Sequence, residues 1–400
     1  RFGMNNILNA DSFKPTTKDY MCHVPLFHHV PLNEPMLPRQ LKKAGYVTGH
    51  IGKWHLSLLN HMDKGEPTPT DYGFDYWLTL EGGGKGHYKD PNGWIRNGKK
   101  VKGKLADWTN ELYFKDAINF IENNKEKPFY LNIWSFTPHE YHAAPEKYKR
   151  MYADRTPEEQ VYMGCLTQYD HELGKLLDYL ESEGLTESTV IVFASDNGPE
   201  SAEVPWGPTS RGRTPFKGHK HVLYEGGIRV PGIVRWPGIT ETGSESNLPV
   251  STLDLFPTFC SAAGASVPDN PDQPLDGGDF RSVFKNKPVK RRQPLYWQYE
   301  FAPSHFVIGS GTSPAIAMRD GHWKIMSDMS FENFELYNLH IDPAEHWDLV
   351  KQHPGQAERM KKQLKKIYDE VNGPYKQKAK YLNPRIPNRT VQKHLDPKSY

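Results

Sequence analysis

Lys53 with His55, His139, Asp196 with Asn197, and Lys220 are the residues of this 400-residue chain whose types and neighbours suit chemistry on an anionic ester. A fixed ammonium beside an imidazole can hold an ester oxygen and manage a proton at a neighbouring hydroxyl. Lys53 and His55, two apart in extended chain, point the same way. His139 follows a proline and can serve as general acid toward a leaving oxygen, with His142 as a candidate rim contact and Glu140 and Glu146 as surface or rim groups. Asp196 and Asn197 offer hard oxygen donors that suit Ca²⁺, alternatively Mg²⁺, rather than a soft metal. Asp-Asn-Gly is also a common turn sequence. A shell of roughly six or more oxygens needs further carboxylates from elsewhere. Lys220 can neutralise charge on a tetrahedral oxyanion, with His219, His221 and Arg229 as candidate substrate contacts. Gly226 and Gly227 between them let backbone approach closely.

Each of the first three clusters ends an apolar run: Tyr46 to Ile51 before Lys53, Phe129 to Phe136 before His139, and Val190 to Ser195 before Asp196. In open α/β sheets the carboxyl ends of parallel strands face one crevice, so groups distant in sequence can converge there. Helices precede the runs. Leu37 to Ala44 reads as one, with Gly45 as a left-handed cap. Asn110 to Asn124 is amphipathic with a period near 3.6. Thr156-Pro157-Glu158-Glu159 orders an N-cap, a first-turn proline and a capping-box glutamate, opening a long helix that ends at Gly184. Helix followed by strand, three times over, predicts an α/β fold with a mostly parallel central sheet flanked by helices.

A different texture begins near Pro288. Short strand candidates at Leu295 to Tyr299, Ala315 to Met318, Trp323 to Ile325 and Glu335 to Tyr337 predict a small C-terminal antiparallel sheet. A helix over Gln356 to Val371 packs on it through Leu364 and Ile367. From Asn372 the chain reads as a loose polar tail. The predicted organisation is thus a catalytic domain over 1–287, an α+β subdomain over 288–371 and a tail over 372–400. The Gly-, Pro-, Ser- and Arg-rich stretch from Asp196 to Lys220 predicts a substrate-side loop.

Bulk properties narrow the partners. Lys and Arg number 50 against 48 Asp and Glu, a net charge of +2 that gives no bulk reason to expect nucleic-acid binding. The mean hydropathy of -0.74 and the lack of a long apolar stretch predict no membrane span. Cys22, Cys165 and Cys260 are too scattered for a disulfide framework or a zinc site and read as free buried thiols. The sequon at Asn388 hints at a secretory route. Aromatic content of 12% suits sugar-stacking surfaces or an ordinary core. Oligomeric state is not legible.

The clusters resemble those of type I, formylglycine-dependent sulfatases, arylsulfatase-like members of the alkaline phosphatase superfamily. Gly45 to Leu56 is similar to the family's GYxTGxxGKWHLG segment, with Ser57 where glycine is usual. Ser195-Asp196-Asn197-Gly198 resembles its SDNG metal segment. Phe216 to Pro231 resembles its GKxxxYEGGxRxP segment, with His219 replacing a glycine, and Thr137-Pro138-His139 fits its PH segment. Glu335 to Leu339 with Asp342-Pro343 extends the likeness into the C-terminal region.

The resemblance implies hydrolysis of sulfate esters, on a sulfated carbohydrate, by a formylglycine hydrate that attacks sulfur and displaces the alcohol. It implies that Lys53 and His55 contact the hydrate and sulfate, that His139 and Lys220 hold the sulfate and the leaving oxygen, and that Asp196 and Asn197 bind Ca²⁺. It also implies a secreted, periplasmic or lysosomal location. The family's CxPSR nucleophile segment and N-terminal aspartate pair are absent. Arg1-Phe2-Gly3 resembles the stretch after the nucleophile helix, and Cys22 lacks the required flanking residues. The 400-residue polypeptide is therefore expected to be inactive by itself. A phosphodiesterase or phosphonate hydrolase of the same superfamily is the nearest rival, and a non-catalytic glycan or anion binder the rival of another class.

Overall fold

Helix α1 (Leu37–Lys43) closes on Ala44 and on Gly45 at φ 90°, as its sequence predicts, and releases the chain into β1 (Val47–Gly52). The computed structural model describes residues 29–57, 59–80, 87–139, 142–200, 215–268, 274–299 and 314–382. Glu140, Cys22, the first three residues and the sequon at Asn388 lie outside them. After β1 come β2 (Tyr76–Leu80), β3 (Trp94–Arg96) and β4 (Lys99–Lys100), then α2 (Thr109–Glu122) and β5 (Phe129–Trp134). The short α3 (Glu146–Lys149) and long α4 (Pro157–Ser182) lead to β6 (Ile191–Ala194). There follow α5 (Glu225–Ile228), β7 (Gly232–Arg235), α6 (Leu255–Ala262), β8 (Leu295–Gln298), β9 (Ile316–Asp320), β10 (Trp323–Ser327), β11 (Phe334–Asn338) and α7 (Pro354–Leu382).

These elements form two units, each discontinuous in sequence. One holds His28–Val192 and Val234–Arg292; the other includes Phe193–Ile233 and the chain from Gln293 onward. The first, the sheet unit, contains a five-stranded sheet in the order β4-β3-β2-β1-β5. β1 runs parallel to both β2 and β5, while β3 and β4 turn back antiparallel. Parallel neighbours need a covered crossover, and α2 supplies one: Leu112, Tyr113, Phe114, Ala117 and Ile121 bury against Ile51 and Leu78. α4 adds Cys165, Leu176 and Leu180 to the same core. Its predicted capping box is present, Thr156 Oγ1 accepting from the Glu159 amide at 3.3 Å and Glu159 Oε2 from the Thr156 amide at 3.0 Å. Burial pushes the Cys165 thiol up to about 12, so this cysteine stays a protonated core residue. Cys260 is likewise a free buried thiol.

One expectation needs amendment. Among the described residues the third predicted strand, β6, is not paired within the five-stranded sheet, and its partner is β7. β7 is only four residues long, Gly-Ile-Val-Arg, too short to carry a pattern of its own. β5, correspondingly, has β1 as its only partner among the described residues, and its Trp134 is 42% exposed.

In the other unit, here the meander unit, β8 to β11 form an antiparallel sheet in the order β11-β10-β9-β8. Strand alternation sends Ile316, Met318, Ile325 and Leu336 to one face, where Ala357, Met360, Leu364 and Ile367 of α7 cover them. Ala317, Met326 and Tyr337 point to the opposite face and are covered by Val222, Leu223 and Tyr224. The predicted helix is longer than its pattern suggests, since α7 runs through Leu382 instead of stopping at Val371. Asn372 does not end it: its side-chain Nδ2 donates to the Tyr368 carbonyl at 2.8 Å and to Gln298 Oε1 at 3.0 Å, which ties that turn to β8.

Candidate active site

In the sheet unit, two candidate groups sit past the carboxyl ends of neighbouring parallel strands. β1 and β5 are in register from Val47↔Phe129 to Gly52↔Trp134. The Lys53 amide continues the ladder, donating to the Trp134 carbonyl at 2.6 Å. Trp54 turns inward with 1% exposure, leaving Lys53 half-buried and His55 exposed. Trp54 Nε1 donates to Ser57 Oγ at 2.7 Å, and Ser57 donates to the Pro67 carbonyl at 2.6 Å. The serine that replaces the family's usual glycine is thus a buried tie that fixes the turn after His55.

After β5 the chain is held on both sides of His139. Thr137 Oγ1 donates to Asn110 Oδ1 at 2.7 Å, and Tyr88 donates to the His139 carbonyl at 2.7 Å. His142 Nε2 lies 2.6 Å from the Pro138 carbonyl, with its ring against Tyr88 and Tyr162. That histidine therefore supports the His139 turn.

In the meander unit the Asp-Asn-Gly and Lys-to-Gly-Gly segments are locked together. The Gly198 amide donates to the Gly227 carbonyl at 2.9 Å, and the Lys220 amide to the Pro199 carbonyl at 2.7 Å. No side chain fits between them: a Cβ on Gly198 would stand 1.8 Å from the Gly226 carbonyl oxygen, and one on Gly226 2.3 Å from that of Gly218. Asp196, Asn197 and Lys220 thereby stand on two backbone segments that are held together. Asn197 Nδ2 is committed to the Gly198 carbonyl at 2.8 Å, which leaves Oδ1 as the acceptor end of the side chain. Lys220 Nζ lies 3.2 Å from Glu200 Oε2.

The remaining expected contacts are engaged within the same unit. His219 Nδ1 is 2.6 Å from the Lys220 carbonyl, and His221, at φ 77°, places Nδ1 2.8 Å from Tyr299 Oη. The Arg229 guanidinium stacks 4.9 Å from the Phe216 ring centroid and reaches Glu225 at 3.5 Å.

Two groups of charges here have no counterpart in the sequence reading. Lys324, fully buried on the loop-facing side of β10, lies 2.9 Å from Glu225 Oε1 and 2.8 Å from Glu345 Oε1. Glu345 Oε2 also accepts from the Glu225 amide at 2.6 Å. Burial raises the Glu345 carboxyl above its usual range, against the pull of Lys324. Nearby, Glu335 accepts from Tyr224 at 2.9 Å and from Tyr337 at 2.6 Å. Lys217 lies over the Tyr224 ring, 4.0 Å from its centroid. These contacts staple the Lys220 loop to the antiparallel sheet. A lysine in a strand normally reads as solvated, so nothing local in the sequence marks Lys324 as buried.

Among the described residues no group of three or more His, Cys, Asp or Glu side chains could hold a metal. Asp196 and Asn197 have the right donor chemistry for part of a Ca²⁺ or Mg²⁺ shell and are too few to complete one.

The sequence family described as Sulfatase matches residues 2–265. The chain belongs to the sulfatase family. A second match, N-sulphoglucosamine sulphohydrolase, C-terminal, covers residues 217–372 of this sulfatase chain, which includes the meander unit's sheet and α7 as far as Asn372. The N-acetylgalactosamine-6-sulfatase of Canis lupus familiaris is 30% identical over 290 residues, 67% of this chain and 52% of that protein. The sulfatase chain spans about half the length of the curated relatives it matches. Among solved structures, Ps i-CgsB in complex with k-i-k-neocarrahexaose superposes with a TM-score of 0.73 at 25% identity, covering 98% of this chain and 85% of that one. Phosphonate monoester hydrolase of Agrobacterium radiobacter shares the fold, with a TM-score of 0.59 at 18% identity, covering 86% and 82%. The architecture is that of the alkaline phosphatase superfamily, a mostly parallel sheet flanked by helices with a small antiparallel sheet at the C-terminal end.

Proposed function

We propose that this chain supplies most of the anion-holding machinery of a sulfuric ester hydrolase that acts on sulfated carbohydrate. The backbone locking of the Asp196–Asn197 turn against the Lys220 loop supports the reading, because it joins the segment that carries metal-type oxygen donors to the segment that carries a cation suited to an oxyanion. The sugar-sulfate activity in the name of the canine relative and the oligosaccharide in the Ps i-CgsB complex support the substrate class.

In this reading Lys220 and Lys53 bind the sulfate oxygens, His139 protonates the leaving alcohol oxygen, and His55 orients and accepts a proton at the attacking oxygen. Asp196 and Asn197 would contribute oxygens to a bound divalent cation. In this family a formylglycine beside that cation supplies the nucleophile, and no CxPSR segment occurs in the 400 residues. The chain by itself accordingly turns over no sulfate ester. A secreted, periplasmic or lysosomal setting accords with the family.

The test is sulfate release, measured by ion chromatography, from sulfated saccharides and 4-nitrophenyl sulfate by the natural gene product that contains this chain. Lys220→Ala and His139→Ala are each expected to lower kcat by about 10²–10³-fold, the scale of losing one preorganised oxyanion donor or acid. Faster turnover of a phosphonate monoester than of any sulfate ester would move the protein to the rival hydrolase class. Anion binding without turnover would move it to the non-catalytic one.

A further inference from the structure

Glu200 is three residues beyond Asn197, and its carboxylate approaches Lys220 Nζ at 3.2 Å. The pair is well covered, the side chains being 9% exposed for Glu200 and 19% for Lys220. The other carboxylate oxygen, Oε1, is buried and has no hydrogen-bond partner among the described residues. A half-satisfied buried carboxylate is costly and calls for a reason. Backbone contact fixes the arrangement, since the Lys220 amide is bonded to Pro199, the residue immediately before Glu200.

We infer that Glu200 is a charge-selecting residue, which makes the Lys220 locus favour esters with one negative charge over esters with two. The inference rests on the proposed role of Lys220 in holding the transferred group. Any ester oxygen hydrogen-bonded to Lys220 Nζ comes within about 6 Å of the Glu200 carboxylate, given an N–H···O distance of about 2.9 Å. At that separation and in a covered setting, the carboxylate offsets part of the lysine charge and repels further negative charge. A sulfate monoester carries a single negative charge. A phosphate monoester carries about 1.5 to 2 near neutral pH. The two are otherwise close in shape, so a pocket built only from cations would prefer the phosphate. A repulsive group beside the cation reverses that preference, as specificity against a close competitor requires.

The experiment measures dissociation constants of 4-nitrophenyl sulfate and 4-nitrophenyl phosphate at pH 8 by isothermal titration calorimetry on the 400-residue chain. The wild type is expected to bind the sulfate ester more tightly. Glu200→Gln, which keeps shape and an acceptor for Lys220, is expected to shift the ratio toward the phosphate ester by at least about tenfold. Glu200→Asp, which keeps the charge, should retain the wild-type preference, an outcome a merely structural role does not predict. Lys220→Ala should weaken both esters. An unchanged ratio in Glu200→Gln, with Lys220→Ala still weakened, overturns the inference and leaves the proposed function standing. Unchanged binding of both esters in Lys220→Ala, or no binding by the wild type, removes the role of Lys220 and the inference with it.

Discussion

Lys324, with none of its side chain exposed, holds its ammonium 2.8 Å from the equally buried carboxylate of Glu345. Glu225 provides the second anion at 2.9 Å, so the β10 lysine joins the turn after β11 to the loop that carries Lys220. Removing one partner of a buried pair strands the others in low dielectric, at a cost of about 3–5 kcal/mol. Lys324→Met should therefore lower the stability read from urea unfolding by that amount. Lys324→Met combined with Glu225→Gln and Glu345→Gln, which leaves no stranded charge, should lose less.

His50 on β1 is fully buried among the rings of Trp54, Phe74 and Trp134, with centroids 5.0, 5.4 and 5.0 Å away. Loss of solvation lowers its pKa from 6.5 to about 3. A folded-state pKa below the unfolded one means that the unfolded chain takes up the proton first as pH falls. Stability from this group is complete above about pH 6.5 and drains away toward pH 3, by a total on the order of 5 kcal/mol. Unfolding midpoints measured across that window should fall more steeply for the wild type than for His50→Phe.

Gly198 has no room for a side chain, because a Cβ would meet the Gly226 carbonyl oxygen at 1.8 Å. Gly198→Ala should push the two segments apart, with strain of about 1–3 kcal/mol. Hydrogen exchange should show faster amides at Lys220, Gly226 and Gly227, with α4 and β1 unchanged.

Thr156 caps α4 through the Glu159 amide. Thr156→Ala should cost about 1 kcal/mol, a small drop in thermal midpoint that leaves anion binding untouched. A large effect on binding would mean that the cap also sets the geometry of the site.

Local pattern was enough to place most elements. Gly45 after α1, the Thr156–Glu159 box and the β8 to β11 alternation are each written in consecutive residues whose propensities agree with the fold. The motif strings around Lys53, His139, Asp196 and Lys220 were legible for the same reason, since each is a short run of adjacent residues. Pairing across the chain was not. That β6 partners β7, that Asn372 of α7 meets Gln298, and that Lys324 is buried between Glu225 and Glu345 depend on residues distant in sequence. The Lys220–Glu200 pair falls in the same class. Sequence determined which groups this protein has and the local turns that present them; tertiary structure decided which charges lose their water and whom they face, because desolvation is a property of the assembled neighbourhood and not of the residue.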